Sequence, residues 1–496
     1  MSAFRIPALV LIPALLVGGA VYDAENRPEA EPSSVRADAG LATVAPADAR
    51  SSVWYCPAAA LGNDDQVVVT NLTTDERVGT VTYLPALRTY GEGVDTAVRA
   101  EITLLPGEQL ELVPAEQIPG EDAVAAVVEF DGGAVMVEHS ATVADLGATD
   151  RQPCATEAAS NWYFPVGATV SDPGVSAASQ QLVLLNPFPD PAVVDITFDT
   201  SNGSRDPSNY EGLVVAGRSA RLLDVNEEVA NVERASAFVR ARSGRLIVDR
   251  VLAYDGAVER QGLSVAAGAT RPTIDVHLPG GTLAENATTS VFIMNPDPDF
   301  PAEVDIEVVA SEVAAIEPFQ RTVPADGVIE VVIRSDVSAE PIGGDPGRVL
   351  EGVRSFSLVV RSLNDVPVVA ERRDLVLASA DTAPGLTTVV GSPVTATRWS
   401  TVVSSLDPEA SALVIQNPSF DSIVTLTLTA GDADPVEFEL SRGGRLSVPF
   451  SEIGGGPISI EASGPVVMER QVVGLTSRSS ALGVPDAVSV ASDTTP

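Results

Sequence analysis

The sequence predicts an all-β protein made of tandem immunoglobulin-like β-sandwich domains. Its 496 residues are 45% hydrophobic, 5% aromatic and 20% charged. Val, Thr, Gly and Pro are frequent, which favours short strands and turns over helices. One set of motifs occurs four times, and its first three glycines lie about 110 residues apart, close to the length of one sandwich domain. Four such repeats fit a chain with room for roughly three to five domains.

The same elements follow one another in every repeat. An apolar strand ends in a turn centred on an asparagine, a second apolar strand follows, then a glycine hairpin, and finally a strand that carries an acid directly before a base. The asparagines and glycines are Asn71, Asn186, Asn295 and Asn417 with Gly107, Gly217, Gly327 and Gly444. The acid–base dipeptides are Glu138-His139, Asp249-Arg250, Glu371-Arg372 and Glu469-Arg470.

The second repeat shows the strand pattern most clearly. Val194, Ile196 and Phe198 alternate with Val193, Asp195 and Thr197. This pattern predicts a strand with one face in the core and the other facing solvent. Gly217 is expected to supply the positive φ of a tight turn between two strands. Including the other apolar runs, the repeat has about seven strands, as an immunoglobulin-like sandwich does.

After each glycine hairpin a strand ends in an acid that is flanked by apolar residues. These acids are Glu116, Glu228, Asp336 and Glu452. We interpret this segment as a short helical crossing between the two sheets, in which the acid lies near a helix terminus or caps a turn.

The chain can be divided by composition. Residues 6–22 form an apolar run after Arg5, so residues 1–22 are either a signal peptide or an uncleaved membrane anchor. The following 23–50 stretch is rich in Ala, Pro and Glu and is predicted to be a disordered linker, like the tail at 487–496. The four sandwiches are predicted at residues 51–156, 157–268, 269–385 and 386–486.

The only two cysteines, Cys56 and Cys154, bracket the first repeat. In an exported chain such a pair favours a disulfide, which would constrain the unfolded state by roughly 4 kcal/mol. Two free buried thiols remain the alternative. A metal site is disfavoured because two isolated cysteines lack the further ligands of a tetrahedral set.

The charge of the chain excludes several functions. A net charge of −38 should repel nucleic acid phosphates and anionic lipid headgroups. Every basic residue other than histidine is arginine, so Schiff-base chemistry, Walker A loops and lysine general bases are excluded. The lack of lysine has two readings, a GC-rich genome or adaptation to high salt.

The openings of the repeats differ. The first two begin with Trp54-Tyr55-Cys56-Pro57 and Trp162-Tyr163-Phe164-Pro165, the fourth keeps only Trp399, and the third has no aromatic pair. Packing is the expected role of these rings, with sugar stacking as the alternative. Together with the Asn-Pro turns and the closing Glu-Arg dipeptides, the openings resemble an uncharacterised family of actinobacterial exported or membrane-anchored proteins. The resemblance implies a cell-envelope location and no established activity.

The acid–base dipeptides are the most tempting candidate site. Neighbouring residues on a strand point to opposite faces, so the acid and the base of one dipeptide cannot both contact the same ligand atom. We expect one member to face inward as a buried acid satisfied by backbone amides or an arginine, which is a structural role. A repeated ligand site is the alternative.

No other catalytic or metal-binding pattern stands out. The two histidines, His139 and His277, are expected to be structural, since no serine elbow, HExxH or Cys-His pairing accompanies them. The acidic turns at Asp190 and Asp297 lack the ligand spacing of a calcium loop, so we expect them to be solvated turns, with calcium binding as the alternative. We therefore predict no catalytic residues, no metal and no cofactor.

The sequence favours a non-enzymatic scaffold or binding protein of the cell envelope. Its partner would be an envelope protein or glycan, and it would touch the membrane only through its N-terminal segment. The alternative is an envelope glycan hydrolase that uses paired carboxylates, which requires two such groups in one cleft.

Overall fold

In the computed structural model each of the four repeats folds into a β-sandwich, and residues 38–496 belong to one unit. The described residues are 39–58, 65–88, 97–121, 123–172, 176–255, 261–283, 286–310, 316–334, 348–350, 352–377, 384–403, 410–431, 433–474 and 476–491. Nearly all of their regular structure is β-strand, which confirms the all-β prediction. The predicted signal or anchor at residues 1–22 lies outside the described residues.

The described residues of the first two repeats form eighteen strands. Those of the first repeat are β1 Ser52–Cys56, β2 Gln66–Asn71, β3 Arg77–Leu87, β4 Val98–Leu104, β5 Gln109–Leu112, β6 Val124–Phe130, β7 Val135–Val143 and β8 Ala148–Pro153. Those of the second are β9 Asn161–Phe164, β10 Ser171–Asp172, β11 Ser176–Asn186, β12 Ala192–Thr200, β13 Gly203–Arg205, β14 Leu213–Val215, β15 Ser219–Asp224, β16 Ala235–Ser243, β17 Ile247–Asp255 and β18 Gln261–Ala267.

In the parts of the last two repeats that the structure describes there are seventeen strands. Those of the third repeat are β19 Asp275–Leu278, β20 Ala287–Asn295, β21 Ala302–Ala310, β22 Phe319–Val323, β23 Gly327–Arg334, β24 Arg348–Val349, β25 Phe356–Ser362, β26 Val369–Val376 and β27 Gly385–Val390. Those of the fourth are β28 Ala396–Val403, β29 Ala412–Gln416, β30 Val424–Ala430, β31 Val436–Leu440, β32 Arg445–Pro449, β33 Gly456–Val473, β34 Arg478–Leu482 and β35 Val484–Pro485.

Each repeat is a sandwich of an inner and an outer sheet. The inner sheets have the orders β5-β2-β7-β8, β15-β11-β17-β18, β24-β23-β20-β26-β27 and β32-β29-β33-β34. The outer sheets have the orders β1-β6-β3-β4, β9-β16-β12-β14, β19-β25-β21-β22 and β28-β33-β30-β31. The long strand β33 serves both sheets of its repeat, pairing with β30 in its first half and with β29 in its second.

The strand partners differ in one respect from those of an immunoglobulin domain. There the first strand shares a sheet with the second, and the seventh with the third and sixth. Here β1 pairs with β6, and β7 pairs with β2. The exchange places the acid–base strand inside the inner sheet, between the second strand and the last one.

Period-two burial builds the cores as the sequence predicts. In β12 the residues alternate strictly between buried and half-buried, and Val194, Ile196 and Phe198 are among the buried ones. Trp54, Trp162 and Trp399 are buried in the cores of their repeats. Apolar packing also continues between repeats, where Tyr163 and Leu252 of the second lie in one cluster with Phe292 of the third. The sandwiches therefore share buried surface with their neighbours.

The Asn turn and the glycine hairpin are joined by one side chain. In every repeat the buried asparagine accepts a hydrogen bond from the amide two residues later and donates to a carbonyl across its own turn and to another at the hairpin. For Asn417 these partners are the Ser419 amide and the Ser422 and Ser441 carbonyls. The two motifs occur together because the asparagine side chain hydrogen-bonds backbone groups of both the turn and the hairpin.

The glycines of the hairpins do different jobs. Gly107 has a φ of +67°, as expected. The expectation for Gly217 is wrong, because Arg218 holds the positive φ, 55°. Gly217 is needed instead for space, since a Cβ there would overlap the Pro189 carbonyl.

The predicted helical crossings are present in three repeats. They are α1 Pro114–Gln117, α2 Val225–Glu228 and α3 Phe450–Ile453. Asp224 caps α2 by accepting a hydrogen bond from the Asn226 amide. The acid that the sequence analysis assigned to this repeat, Glu228, is instead the last residue of α2. Its counterpart in the third repeat, Asp336, lies outside the described residues.

The segments next to the repeats are ordered where the structure describes them. Composition predicts a disordered linker up to residue 50, yet Val44 forms a parallel bridge with Asp486 and the Thr43 amide donates to Thr156. In the predicted tail, the Ala491 amide donates to the Thr395 carbonyl. These segments are fixed by contacts with repeats far away in sequence, which composition does not encode.

Candidate functional site

The four acid–base dipeptides lie on β7, β17, β26 and β33, one in each repeat. All eight residues are at most 4% exposed. The expectation that only one member of each dipeptide faces inward is therefore wrong. Strand alternation does send acid and base to opposite faces, but a neighbouring repeat covers the face that would otherwise meet solvent.

Each base pairs with the acid of the next repeat along the chain. Arg250 makes two hydrogen bonds with Glu371, of 2.8 and 3.0 Å. Arg372 makes two with Glu469, of 2.6 and 2.9 Å. Two parallel bonds of this kind fix the orientation of a guanidinium against a carboxylate. Both pairs are fully buried, so they join the second, third and fourth repeats through contacts that are shielded from solvent.

The fourth repeat pairs with the first, which closes the ring. Arg470 donates to Glu138 over 2.6 Å, although the two residues are 332 positions apart in the sequence. The second oxygen of Glu138 lies 2.7 Å from Arg151 of its own repeat. The four acid–base strands are thus linked head to tail in a closed circle, which we call the ion-pair ring.

The junction between the first and second repeats is different. Nδ1 of His139 lies 3.8 Å from Asp249, and Nε2 contacts Asp65. Burial alone would lower the pKa of His139, but the Asp65 and Asp249 carboxylates outweigh it and raise the pKa from 6.5 to about 10. Burial raises the pKa of Asp249, and the contact with His139 opposes that shift. The imidazole is therefore held as a cation between two carboxylates.

Inside the ion-pair ring lies a second circle made of the last strand of each inner sheet. We call β8, β18, β27 and β34 the closing strands. β8 packs against β18, β18 against β27, β27 against β34, and β34 against β8. Polar side chains join them: Asp150 accepts from the Val265 amide at 2.8 Å and from Ser479 at 2.6 Å. Asp150 thereby ties the first repeat to both of its neighbours, although burial raises its pKa.

The residue after each closing strand carries a signal that the sequence analysis missed. In three repeats it is glycine, at Gly268, Gly391 and Gly483. A Cβ at Gly268 would lie 2.7 Å from the Phe164 ring, and at the other two it would overlap Val276 and Met468. Unequal hairpin lengths hide this repeat in the sequence.

In the first repeat the same position is Cys154, which forms the predicted disulfide with Cys56. Their Cα atoms are 4.9 Å apart and 98 residues separate them in sequence. In the other repeats a side chain packs against the glycine at this position. In the first repeat a covalent bond to the first strand takes the place of that contact. The disulfide prediction is confirmed.

A cavity opens among the ends of the closing strands. It holds about 110 Å³ of open space and all four repeats line it, together with residues 40–42. Ala266, Val389 and Leu482 are typical of its wall, and Trp162 also lies against it. Most polar side chains of the wall already have hydrogen-bond partners in the protein. Gln152 donates to the Ser480 carbonyl, and Thr388 forms hydrogen bonds with Arg250 and Ser264. We call this space the ring cavity.

The remaining candidates have local partners. In the acidic turn of the third repeat, Asp297 accepts hydrogen bonds from the amides of Asp299 and Phe300. His277 is buried in β19, whose backbone bonds Ser392. Within the described part of the chain, no group of three or more His, Cys, Asp or Glu side chains could hold a metal ion. None of the described helices is long and apolar enough to cross a membrane.

Part of the chain matches a known protein family. The sequence model of a family described as "Family of unknown function (DUF5719)" matches residues 152–248. The match begins at the end of β8 and stops one residue before Asp249, so it covers most of the second sandwich. No curated protein matches the chain. The chain is thus similar, over this stretch, to an uncharacterised domain family.

Proposed function

We propose that the protein is a non-enzymatic binding scaffold that works at the cell envelope, outside the cytoplasm. The observation that carries this proposal is the ion-pair ring. Its buried acids and bases hold four sandwiches together, and a group that must stay paired to keep the ring closed is poorly suited to exchange protons with a substrate. The Cys56–Cys154 disulfide supports an oxidising location.

We place the binding surface at the Asn turns. The asparagine is shared by all four repeats, but the exposed residues that each turn presents differ. The turn of the third repeat presents Phe300, 63% exposed, and that of the fourth presents Phe420, 58% exposed. In the second repeat Arg245 lies over Phe188, 5.7 Å from its ring centre. Exposed aromatic rings suit the apolar faces of sugars and of protein surfaces. The partner we propose is an envelope glycan or protein.

The test is co-sedimentation of the full chain with washed cell-envelope fragments, before and after protease treatment of the fragments. We expect the double variant Phe300→Ser and Phe420→Ser to bind roughly tenfold more weakly. Leu363→Ser, which removes an exposed apolar side chain of 49% exposure, is the matched control and should bind like the unmodified protein. Loss of binding after protease treatment would identify a protein partner, and retention would identify a glycan.

The same fragments separate this proposal from a glycan hydrolase. A hydrolase would release reducing ends during the incubation and would stop doing so when a catalytic carboxylate is removed. Glu157 lines the ring cavity, so Glu157→Gln is the variant to compare. Release of reducing ends that Glu157→Gln abolishes would overturn the scaffold proposal.

A further inference from the structure

We propose that the ring cavity binds the end of an alkyl or acyl chain of a neutral amphiphile. This site is separate from the exposed aromatic residues of the Asn turns, and the inference does not depend on them. It rests on the chemistry of the cavity wall, on the size of the space and on the charge of the chain.

The wall offers a ligand mainly carbon atoms. Ala266, Ala267, Val389 and Leu482 come from three different repeats and face the same space. Polar side chains of the wall, such as Gln152 and Thr388, already form hydrogen bonds within the protein. A polar ligand would lose its hydrogen bonds to water here without gaining replacements, whereas an apolar chain loses none.

One polar atom in the wall is the exception. The Thr270 hydroxyl is buried and has no hydrogen-bond partner among the residues that the structure describes. Buried polar atoms are usually paired, so an unpaired one beside an apolar space indicates where a ligand group could bond. A hydroxyl, ester or ether oxygen next to the alkyl chain would satisfy it.

Size and charge narrow the ligand further. A space of about 110 Å³ is somewhat smaller than an engineered cavity that takes one benzene, so it accommodates only a few carbons of a chain. The net charge of −38 disfavours anionic headgroups, and Glu157 adds a carboxylate at the cavity itself. We therefore expect neutral amphiphiles to bind in preference to fatty-acid anions.

The experiment is calorimetric titration of the full disulfide-bonded chain with alkyl glucosides of four, six and eight carbons, each below its micelle concentration. We expect affinity to rise with chain length and the heat capacity change to be negative, as burial of apolar surface requires. Octanoate, the anionic counterpart, should bind at least tenfold more weakly than octyl glucoside.

A filled cavity provides the control. Ala267 is only partly buried, so Ala267→Leu should occupy the space without overpacking the core, and it should reduce octyl glucoside affinity at least tenfold. Ala115→Leu adds the same atoms at an exposed position of α1 and should leave binding unchanged. Matching thermal transitions would show that both variants are folded.

Three results would overturn the inference. They are no heat with any glucoside, octanoate binding as tightly as octyl glucoside, or equal binding by Ala267→Leu. Dissociation of a dimer on adding octyl glucoside, seen by sedimentation, would also overturn it, because a second copy would then be the occupant. Each result leaves the envelope co-sedimentation assay unaffected, so failure here is distinguishable from failure of the proposed function.

Discussion

Three junctions of the ion-pair ring are closed by arginine and glutamate, and the fourth is closed by His139 between two aspartates. An arginine stays charged at any pH a protein survives and bonds a carboxylate at two points. A histidine is shorter and can lose its charge, and the His139 side chain hydrogen-bonds only Asp65 among the described residues, while its Nδ1 lies 3.8 Å from Asp249. The comparison shows that the first junction relies on other contacts.

Those contacts are visible around the first repeat. At the junction with the second repeat, β3 and β15 pair in parallel through Ala86 and Ala220. This pairing joins the outer sheet of the first repeat and the inner sheet of the second into one nine-stranded sheet. Asp150 bridges to both neighbours, and the disulfide fixes the end of β8. Where the ion pair is weak, backbone pairing and covalent bonding hold the ring.

Breaking an arginine junction should have the largest effect. Arg250→Met leaves Glu371 buried without its cation, which should lower the free energy of unfolding by roughly 3 to 5 kcal/mol. Urea denaturation followed by tryptophan fluorescence measures the change. The double variant Arg250→Met with Glu371→Leu should recover most of the loss, because no unpaired charge remains. A loss below about 1 kcal/mol in the single variant would contradict a structural role for the ion-pair ring.

Removing the disulfide should have the next largest effect. Replacing Cys56 and Cys154 by serine releases a loop closed over 98 residues and should cost roughly 2 to 4 kcal/mol. Differential scanning calorimetry of the oxidised protein and the double variant measures this. We expect the first repeat to unfold at lower temperature than the rest. An unchanged transition would mean that β8 is held by its neighbours alone.

The histidine junction should respond to alkali. A group whose pKa rises on folding contributes stability that is complete below its unfolded pKa and is lost as pH rises through the folded value. For His139 that window runs from 6.5 to about 10. We expect the free energy of unfolding to fall progressively across it. The chain has no lysine, so few other groups titrate there.

His139→Arg is the matched variant for the alkaline experiment. Its guanidinium keeps its charge, so the loss of stability between pH 7 and 10 should be much smaller than in the unmodified protein. Unfolding midpoints in urea at several pH values give both curves. Parallel curves would show that His139 does not carry the alkaline sensitivity.

The smallest effect should come from an ion pair outside the ring. Arg361 and Asp275 bond at 2.7 Å, but about half of each side chain is exposed. Arg361→Met should change the free energy of unfolding by less than about 1 kcal/mol. A loss as large as that of Arg250→Met would mean that burial is not what distinguishes the ring.

Much of the framework could be predicted from the sequence because it depends on local rules. Alternation of apolar residues predicts β12, and the asparagine and glycine motifs predict turns at the right places. The role of the dipeptides could not be predicted in the same way. Strand geometry correctly separates Glu371 from Arg372, but it does not say that Arg250 of another repeat lies against that acid.

The sequence by itself determined the fold class, the four repeats, the disulfide pair and the positions of the turns. These follow from side-chain periodicity, backbone restrictions and a pairing with only one solution, all of which act within a repeat. Tertiary structure alone decided that the repeats close into a ring, that His139 faces two carboxylates and that a cavity forms among the closing strands. The physical reason is distance along the chain: Glu138 and Arg470 are 332 residues apart, and only the folded ring brings them together.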